Sequence, residues 1–346
     1  MQPGKQWKSK RKMKTIEHWS ATTVTKSQSC LRQVKYEKID RFIPRNITSS
    51  ALVGILSHVG VLEGHLHLEK RRTWDFEGWD PPEADIHLKA RELEILHDIS
   101  VSQFDIERAC IYSEALTKTE HWKTLTALTI LHIEHKFEVE LLGHKFVGVF
   151  DAIGYDPKTD THYVIELKTT GADAAVKGAK SWWETKQIAN QPIIYMSALK
   201  KLLGKDINVE MMYVVIKTST SKPKLRPGVK RKKDELKEDY ELRKQESTET
   251  FDEWSARLRK EYQDPSKFAL DTVIILDRDI ESRLSEIGDV IAMVNSQTSY
   301  PRNPGNCGSF GGCAFIDVCL GNSNLATDSN LIKLKDKSKV QEEVPF

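Results

Sequence analysis

The chain has no apolar run near the ~20 residues that a membrane-spanning helix requires. Its composition, 39% hydrophobic and 29% charged, is that of a soluble globular protein and excludes global disorder. Net charge is almost absent: 52 Lys and Arg against 50 Asp and Glu leave +2 at pH 7, a balance that neither demands nor excludes a nucleic-acid partner. No internal repeat is visible, so the chain is not a repeat array. Cysteines are few and odd in number, five in 346 residues. The basic N-terminus is followed by no apolar segment of a secretory signal. A disulfide scaffold is therefore a poor reading, and the expectation is a reduced, intracellular protein whose thiols are free for metal.

What is present is enough chain for one large domain or two small ones, with ample material for a core. Residues 1–26 begin as a basic arm, with Lys5, Lys8, Lys10, Arg11, Lys12 and Lys14 and no acid in the first fourteen positions. A flexible arm on phosphate, a nuclear address and a solvated tail all fit it. Residues 321–346 are polar and Lys-rich and are expected to be disordered. Between these ends the reading is one domain, 27–320, interrupted by a charged helical insertion at 221–267.

Leu52, Ile55, Leu56, Val59 and Leu62 recur at helical spacing, so a helix is expected over 50–63 with Ser49 or Ser50 as its cap. A Trp/Pro loop from Trp74 to Pro82 and a helical stretch over 86–118 follow. Strands are expected at 132–142 and 144–153 around a tight turn at Gly143, at 162–169, at 207–217 and at 272–276. Helices are expected at 174–203, with a restart at Pro192, and at 279–295.

The most informative stretch is Gly148-Val-Phe-Asp151, a turn, and then Val164-Ile-Glu166-Leu-Lys168. Side chains alternate along a strand, so Glu166 and Lys168 share one face while Ile165 and Leu167 enter the core from the other. Asp151 lies on the preceding strand of the same meander. Two carboxylates and an ammonium meeting at a sheet edge are the equipment for phosphodiester hydrolysis: carboxylates hold hard divalent cations through oxygen, and the lysine orients water or neutralises the phosphorane. Alone, the pattern also fits a hairpin with an exposed Glu/Lys pair.

Two further motifs stand in order around it: Gly54-Ile-Leu-Ser-His58, followed by Leu62-Glu63, and Gln191-Pro-Ile-Ile-Tyr195. Singly, His58 also fits a hydrogen-bonded histidine at the edge of an apolar stripe, and Gln191 with Tyr195 an ordinary helix-surface pair. Together with Asp151, Glu166 and Lys168 the sequence resembles the PD-(D/E)XK nuclease superfamily in its RecB-like branch. The resemblance implies an α/β restriction-endonuclease-like core, a central mixed sheet flanked by helices. It implies His58, Asp151 and Glu166 as ligands of Mg²⁺ or Mn²⁺, joined by the backbone carbonyl of Leu167, and Lys168 as the catalytic lysine. Gln191 and Tyr195 would touch DNA or steady the site. Glu134 occupies a place where the branch often carries an acid. Pro192 inside the Gln/Tyr motif is a departure that bears on the placement of Gln191.

Cys307, Cys313 and Cys319 fall within thirteen residues, among glycines, and Cys30 lies far upstream. One N-terminal and three C-terminal cysteines resemble the iron–sulfur members of the branch, including CRISPR-associated exonucleases. The resemblance implies a 4Fe-4S cluster on these four thiolates that packs the C-terminal segment near the N-terminus. Structural Zn²⁺ on the same four is the competing reading, and the spacing from Cys307 to Cys313 is longer than the branch usually shows. Cys110 is left as a buried small hydrophobe. Trp182 and Trp183 are candidates for stacking on unpaired bases, with core packing as the alternative.

The implied activity is metal-dependent DNA exonuclease or end-processing cleavage of single-stranded or frayed DNA. The settings would be recombination, repair or CRISPR spacer acquisition in the cytoplasm of a bacterium, an archaeon or a phage-infected cell. The alternative is an inactive DNA-binding or assembly protein that keeps the fold. The chain has no Gly-x-x-x-x-Gly-Lys-Ser/Thr phosphate loop, so unwinding would fall to a helicase or recombination partner.

Overall fold

The computed structural model describes residues 15–67, 82–97, 99–173, 180–204, 206–226, 229–233, 235–308 and 312–334. The basic arm to residue 14, the loop from Trp74 and residues 335–346 lie outside them. Among the described residues no helix is long and apolar enough to cross a membrane.

In chain order the first elements are α1 (Ala21–Ser29), continued past Cys30 by a short helical stretch (Leu31–Val34, then π-helical Lys35–Ile39), β1 (Phe42–Pro44) and α2 (Ser49–His58), with a wider π-helical segment Val59–Leu66 continuing α2. Three helices follow: α3 (Pro82–His97), α4 (Gln103–Leu116) and α5 (Glu120–Thr126). The meander is β2 (Thr129–Leu141), β3 (His144–Asp156) and β4 (Thr161–Thr170), and α6 (Lys180–Gln187) and α7 (Asn190–Leu203) lead to β5 (Asn208–Lys217). The rest comprises α8 (Lys237–Glu246), α9 (Phe251–Glu261), β6 (Phe268–Val273), α10 (Asp277–Ser296), α11 (Ile316–Leu320) and β7 (Leu331–Lys333).

The described residues divide into two compact units. One gathers 15–45, 140–147 and 282–334; the other is 46–139 with 148–281. The second unit is built on a five-stranded sheet of order β2-β3-β4-β5-β6. β3–β4 and β5–β6 are antiparallel while β4–β5 is parallel. This is the mixed α/β sheet flanked by helices that the sequence leads one to expect. Leu142 and Gly143 both take positive φ, 55° and 69°, as a two-residue turn matched to strand twist requires.

Several boundaries differ from expectation for identifiable reasons. Thr48, not Ser49 or Ser50, caps α2, accepting from the Ala51 N–H at 3.3 Å. Ser49 is engaged elsewhere, donating to Asp105 at 2.7 Å. The stretch 86–118 is two helices, because Ser102 starts α4 as its N-cap. Pro192 falls in the first turn of α7, where its missing N–H costs no helical bond, so the helix begins cleanly at Asn190.

The charged insertion is only partly solvent-exposed. Thr250 and Glu253 form a reciprocal capping box that starts α9. α9 then carries Trp254 and Leu258 into one core cluster with Trp122, Leu125, Ile165, Leu167 and Val214. Trp254 is fully buried and meets Phe104 edge-on at 4.8 Å. The apolar residues of this segment are spaced for one helical face, and the surrounding charges mask them in composition.

In the first unit β1 and β7 pair antiparallel, Ile43 opposite Ile332. Residues 331–333 therefore form a strand where a disordered tail is expected from 321 onward. Trp19 bridges Phe146 at the tip of the β2–β3 hairpin, donating to the Lys145 carbonyl and accepting from the Val147 N–H, both at 2.8 Å.

Because Trp254 belongs to the core, Trp254→Ala is expected to lower unfolding free energy by about 3–5 kcal/mol. Urea denaturation of the full chain checks this, and a loss under about 1 kcal/mol, the scale of an ordinary surface substitution, would return the insertion to the surface.

Candidate functional site

The pairing of Ala152 with Ile165 sets Asp151 across from Glu166 in adjacent strands. Ile165 and Leu167 point into the core cluster, so period-two alternation sends Glu166 and Lys168 to the other face. Asp151 is fixed by the Leu167 N–H, which donates to its Oδ2 at 2.8 Å. Lys168 Nζ donates to Glu166 Oε1. Glu166 is only 4% exposed, and its second oxygen, Oε2, is buried without a hydrogen-bond partner. A buried carboxylate oxygen left bare is costly unless something positive completes it.

His58 reaches this point from the last residue of α2, where the helix widens into its π segment. Such widenings recur at functional positions because they re-aim a side chain. Gly54, one turn earlier, lies so close to β4 that a Cβ would stand 2.9 Å from Thr169 Oγ1. Glycine therefore permits the helix to approach the strand. The His58 ring faces Asp151, its Nδ1 3.5 Å from Asp151 Oδ2.

Glu134 arrives from β2 with φ of 49°, in the left-handed region that a non-glycine strand residue rarely enters. That conformation costs roughly 1–3 kcal/mol, and here it coincides with a functional arrangement. His58, Glu134 and Asp151 each offer a ligand atom, all within 4.8 Å of one another. The structure thus brings Glu134 into the group with His58 and Asp151, and sets Glu166 and Lys168 beside it.

The electrostatics agree with a cation site. Burial, and then the facing Glu166, hold the Asp151 carboxyl well above its ordinary range. Burial, and then Asp151, push Glu134 up to about 7. Burial lowers His58, favouring the neutral imidazole that ligates metals. Three crowded acids, a neutral histidine and a bare buried oxygen are a donor set that fits Mg²⁺ or Mn²⁺.

Gln191 and Tyr195 lie one turn apart on α7, so both project from one face of that helix. The Tyr195 ring stands edge-on to Phe137 and Phe150 at 5.5 and 5.4 Å. Gly148 leaves it room, since a Cβ there would lie 3.4 Å from the Tyr195 ring and 2.5 Å from Phe137. Burial raises the Tyr195 hydroxyl to about 12, so it stays protonated.

Two residues near Glu166 escape sequence reasoning. Tyr213 lies opposite Glu166 in the β4–β5 register and is 1% exposed. Lys186 on α6 has its pKa lowered by burial and by the charge of Lys168, while Glu166 opposes both. Its Nζ lies 4.4 Å above the Trp182 ring, Trp182 meets Trp183 edge-on at 4.6 Å, and Trp183 leans on Tyr213 at 6.3 Å. No local pattern announces Lys186 or Tyr213; only the register between β4 and β5 and the packing of α6 do.

In the first unit Cys30, Cys307, Cys313 and Cys319 converge. Burial raises the Cys313 thiol, and the other three sulfurs add to the effect. Asn303 and Asn306 both donate to the Ser29 carbonyl, at 2.8 and 2.7 Å, and Arg32 donates to the Tyr300 carbonyl at 2.6 Å. Cys313 and Cys319 rest on an apolar cluster of Tyr36, Phe42, Phe315 and Leu331. Cys110 is buried between α2, α3 and α4.

No family model matches the chain, and no curated protein matches it. Among solved structures it is similar to that of a Eubacterium rectale protein bearing the name "Putative exonuclease", at 9% identity over 89% of each chain with a TM-score of 0.48. A likeness of that degree assigns no residue, substrate or metal to this chain.

The raised carboxyls give a signed pH dependence. Between its unfolded value near 4.5 and about 7, Glu134 holds a proton more tightly in the folded chain. Folded stability in chelator is therefore expected to fall as pH rises through that window, and Asp151 adds in the same sense. A divalent cation displaces these protons, so its thermal stabilisation should be larger at about pH 8 than at about pH 5. Melting curves with and without Mn²⁺ check this; Glu134→Gln should flatten the difference, and equal gains at both pH values would refute the cation site.

Proposed function

We propose that the chain is a metal-dependent nuclease that hydrolyses phosphodiester bonds in DNA at single-stranded or frayed ends. The observation that carries this is the His58, Glu134 and Asp151 group, whose ligand atoms lie within 4.8 Å of one another, with the bare, buried oxygen of Glu166 on the adjacent strand and Lys168 in contact with Glu166.

Asp151, Glu166, Glu134 and neutral His58 would hold Mg²⁺ or Mn²⁺, with the Leu167 carbonyl as a further oxygen. The bound cation supplies Lewis acidity, making a water more acidic and drawing charge from the phosphate oxygens. The other roles belong to side chains. Lys168, anchored on Glu166, orients the attacking water and meets the negative charge that develops at phosphorus. Lys186 adds a second ammonium on the same side. Leu167 fixes Asp151 through its N–H, so both carboxylates are positioned before substrate arrives. Trp182 and Trp183, both half-buried, supply ring surface for unpaired bases beside the site.

At the four cysteines we favour an iron–sulfur cluster over zinc. One N-terminal and three C-terminal cysteines are the arrangement that resembles the iron–sulfur members of the branch, in which four thiolates hold a 4Fe-4S cluster.

Labelled single strands, duplexes and end-blocked oligonucleotides incubated with Mg²⁺ or Mn²⁺ test the activity. Wild type should degrade single-stranded ends, and Lys168→Ala and Asp151→Ala should each lose at least about 100-fold. Undiminished cleavage by either variant would remove the site assignment, and an inert wild type that still binds DNA would favour the binding-protein reading. For the thiols, anaerobically purified protein should be brown and contain iron and acid-labile sulfide, both lost in Cys313→Ser. Stoichiometric zinc in colourless protein would sink the cluster.

A further inference from the structure

Between Lys217 and Lys233 the chain carries eight Lys or Arg residues and no acid. The run Lys230–Lys233 belongs to the segment 221–267, expected from the sequence to be a charged helical insertion. In the structure α8 begins only at Lys237, and the run lies in the connection before it.

The ion pairs of this region separate arginine from lysine. Arg257 grips Glu249 at 2.7 Å, Arg243 grips Glu235 at 2.8 Å, and Arg226 grips Glu253 at 2.9 Å. Those acids are occupied. Lys222, Lys224, Lys230, Lys232 and Lys233 are exposed and form no ion pair among the described residues. Lys217 is taken up by Asp173. On α8, Glu241 pairs with Lys244 of the same helix.

This lysine-bearing segment is held in place. Arg108 and the Trp254 indole both donate to the Ser221 carbonyl, at 2.9 and 3.2 Å. Arg257 reaches Ser221 Oγ and the Lys222 carbonyl at 2.8 and 3.1 Å. Leu225 bridges Thr248, with Glu249 N–H donating to the Lys224 carbonyl at 2.9 Å. Its origin is also fixed relative to the site. β5 runs parallel to β4 with Val215 beside Lys168, and the Thr218 N–H donates to the Thr170 carbonyl at 2.7 Å. The segment leaves the sheet three residues past the register of Lys168, from the same end of the strand.

We propose that Lys222, Lys224, Lys230, Lys232 and Lys233 form a track for the phosphodiester backbone of the DNA strand whose end is seated at Asp151 and Glu166. The track rests on the nuclease reading for its ligand, and its chemistry is that of a sequence-independent polyanion contact. Lysine ammoniums are point charges that suit a mobile backbone better than a bidentate fit. Each phosphate neutralised releases condensed counterions, so binding through the track is steeply salt-dependent.

The test is fluorescence anisotropy of a labelled single-stranded oligonucleotide in EDTA, where no cleavage occurs, at about 50 to 200 mM salt. K230A/K232A/K233A should bind at least about tenfold more weakly at the low-salt end and lower the log–log salt slope by about 2, at roughly 0.7 for each phosphate that goes unneutralised. K222A/K224A, in the pinned part, should lower it by about 1.4. Hydrolysis of a mononucleotide p-nitrophenyl ester, too short to reach the track, should be unchanged in both. Wild-type affinity and slope in both variants would overturn the track. So would equal binding of wild type to polyglutamate or to phosphatidylserine vesicles at the same salt. A wild type inactive on every substrate, with the slope still falling in the variants, would retire the nuclease reading and leave the track standing.

Discussion

Two carboxylates buried opposite each other in β3 and β4, Asp151 and Glu166, are the constraint around which the second unit is arranged. Taking like charges out of water together is among the costlier things a fold can do. One ammonium, that of Lys168, meets one oxygen of the pair, and one backbone N–H meets Asp151. Neighbouring elements adapt to the same point. α2 widens at His58, β2 takes a left-handed residue at Glu134, and glycines at 54 and 148 remove the side chains that would hold α2 and Tyr195 away. A fold selected only for stability would replace this cluster by apolar side chains. The cluster, with strain at Glu134, offers the ligand atoms that a metal ion could take up.

The first unit solves a different problem. Its segments come from the two ends of the chain and a hairpin tip. Paired asparagines on Ser29, Arg32 on Tyr300 and the β1–β7 ladder already join those ends. The four thiols therefore stand in a frame that polar contacts hold, which leaves their spacing to be set by the surrounding chain.

What was legible in the sequence followed from periodicity and turn chemistry. β3 and β4 announce themselves by alternation and by the Asp156–Asp160 turn, and once they pair, Asp151 and Glu166 must meet. His58 was legible through its spacing from Gly54, because helical geometry fixes that relation locally. Lys186 and Tyr213 were not, since they depend on strand register and on how α6 packs. Trp254 was hidden because eleven residues of α9 are mostly charged while three positions do the packing. β7 was missed because three residues in a polar stretch carry no pattern, and only the partner strand makes them one. Thr48 displaced the expected caps because Ser49 had a better acceptor in Asp105.

The clasp between β1 and β7 has a consequence for how the molecule comes into being. Arg45 donates to the Ser329 carbonyl across 284 positions of sequence, and the ladder beside it spans as much. A chain emerging from the ribosome holds every element of the second unit's sheet well before residue 331 exists. The first unit is thus the last part able to close, and it closes by joining what was made first to what is made last. Closing so long a loop costs little more than closing one of half the length, so the delay is one of timing and not of energy. A ribosome that stops short of residue 331 leaves a chain whose ends meet through Ser29, Asn303, Asn306, Arg32 and Tyr300 but without the ladder between β1 and β7.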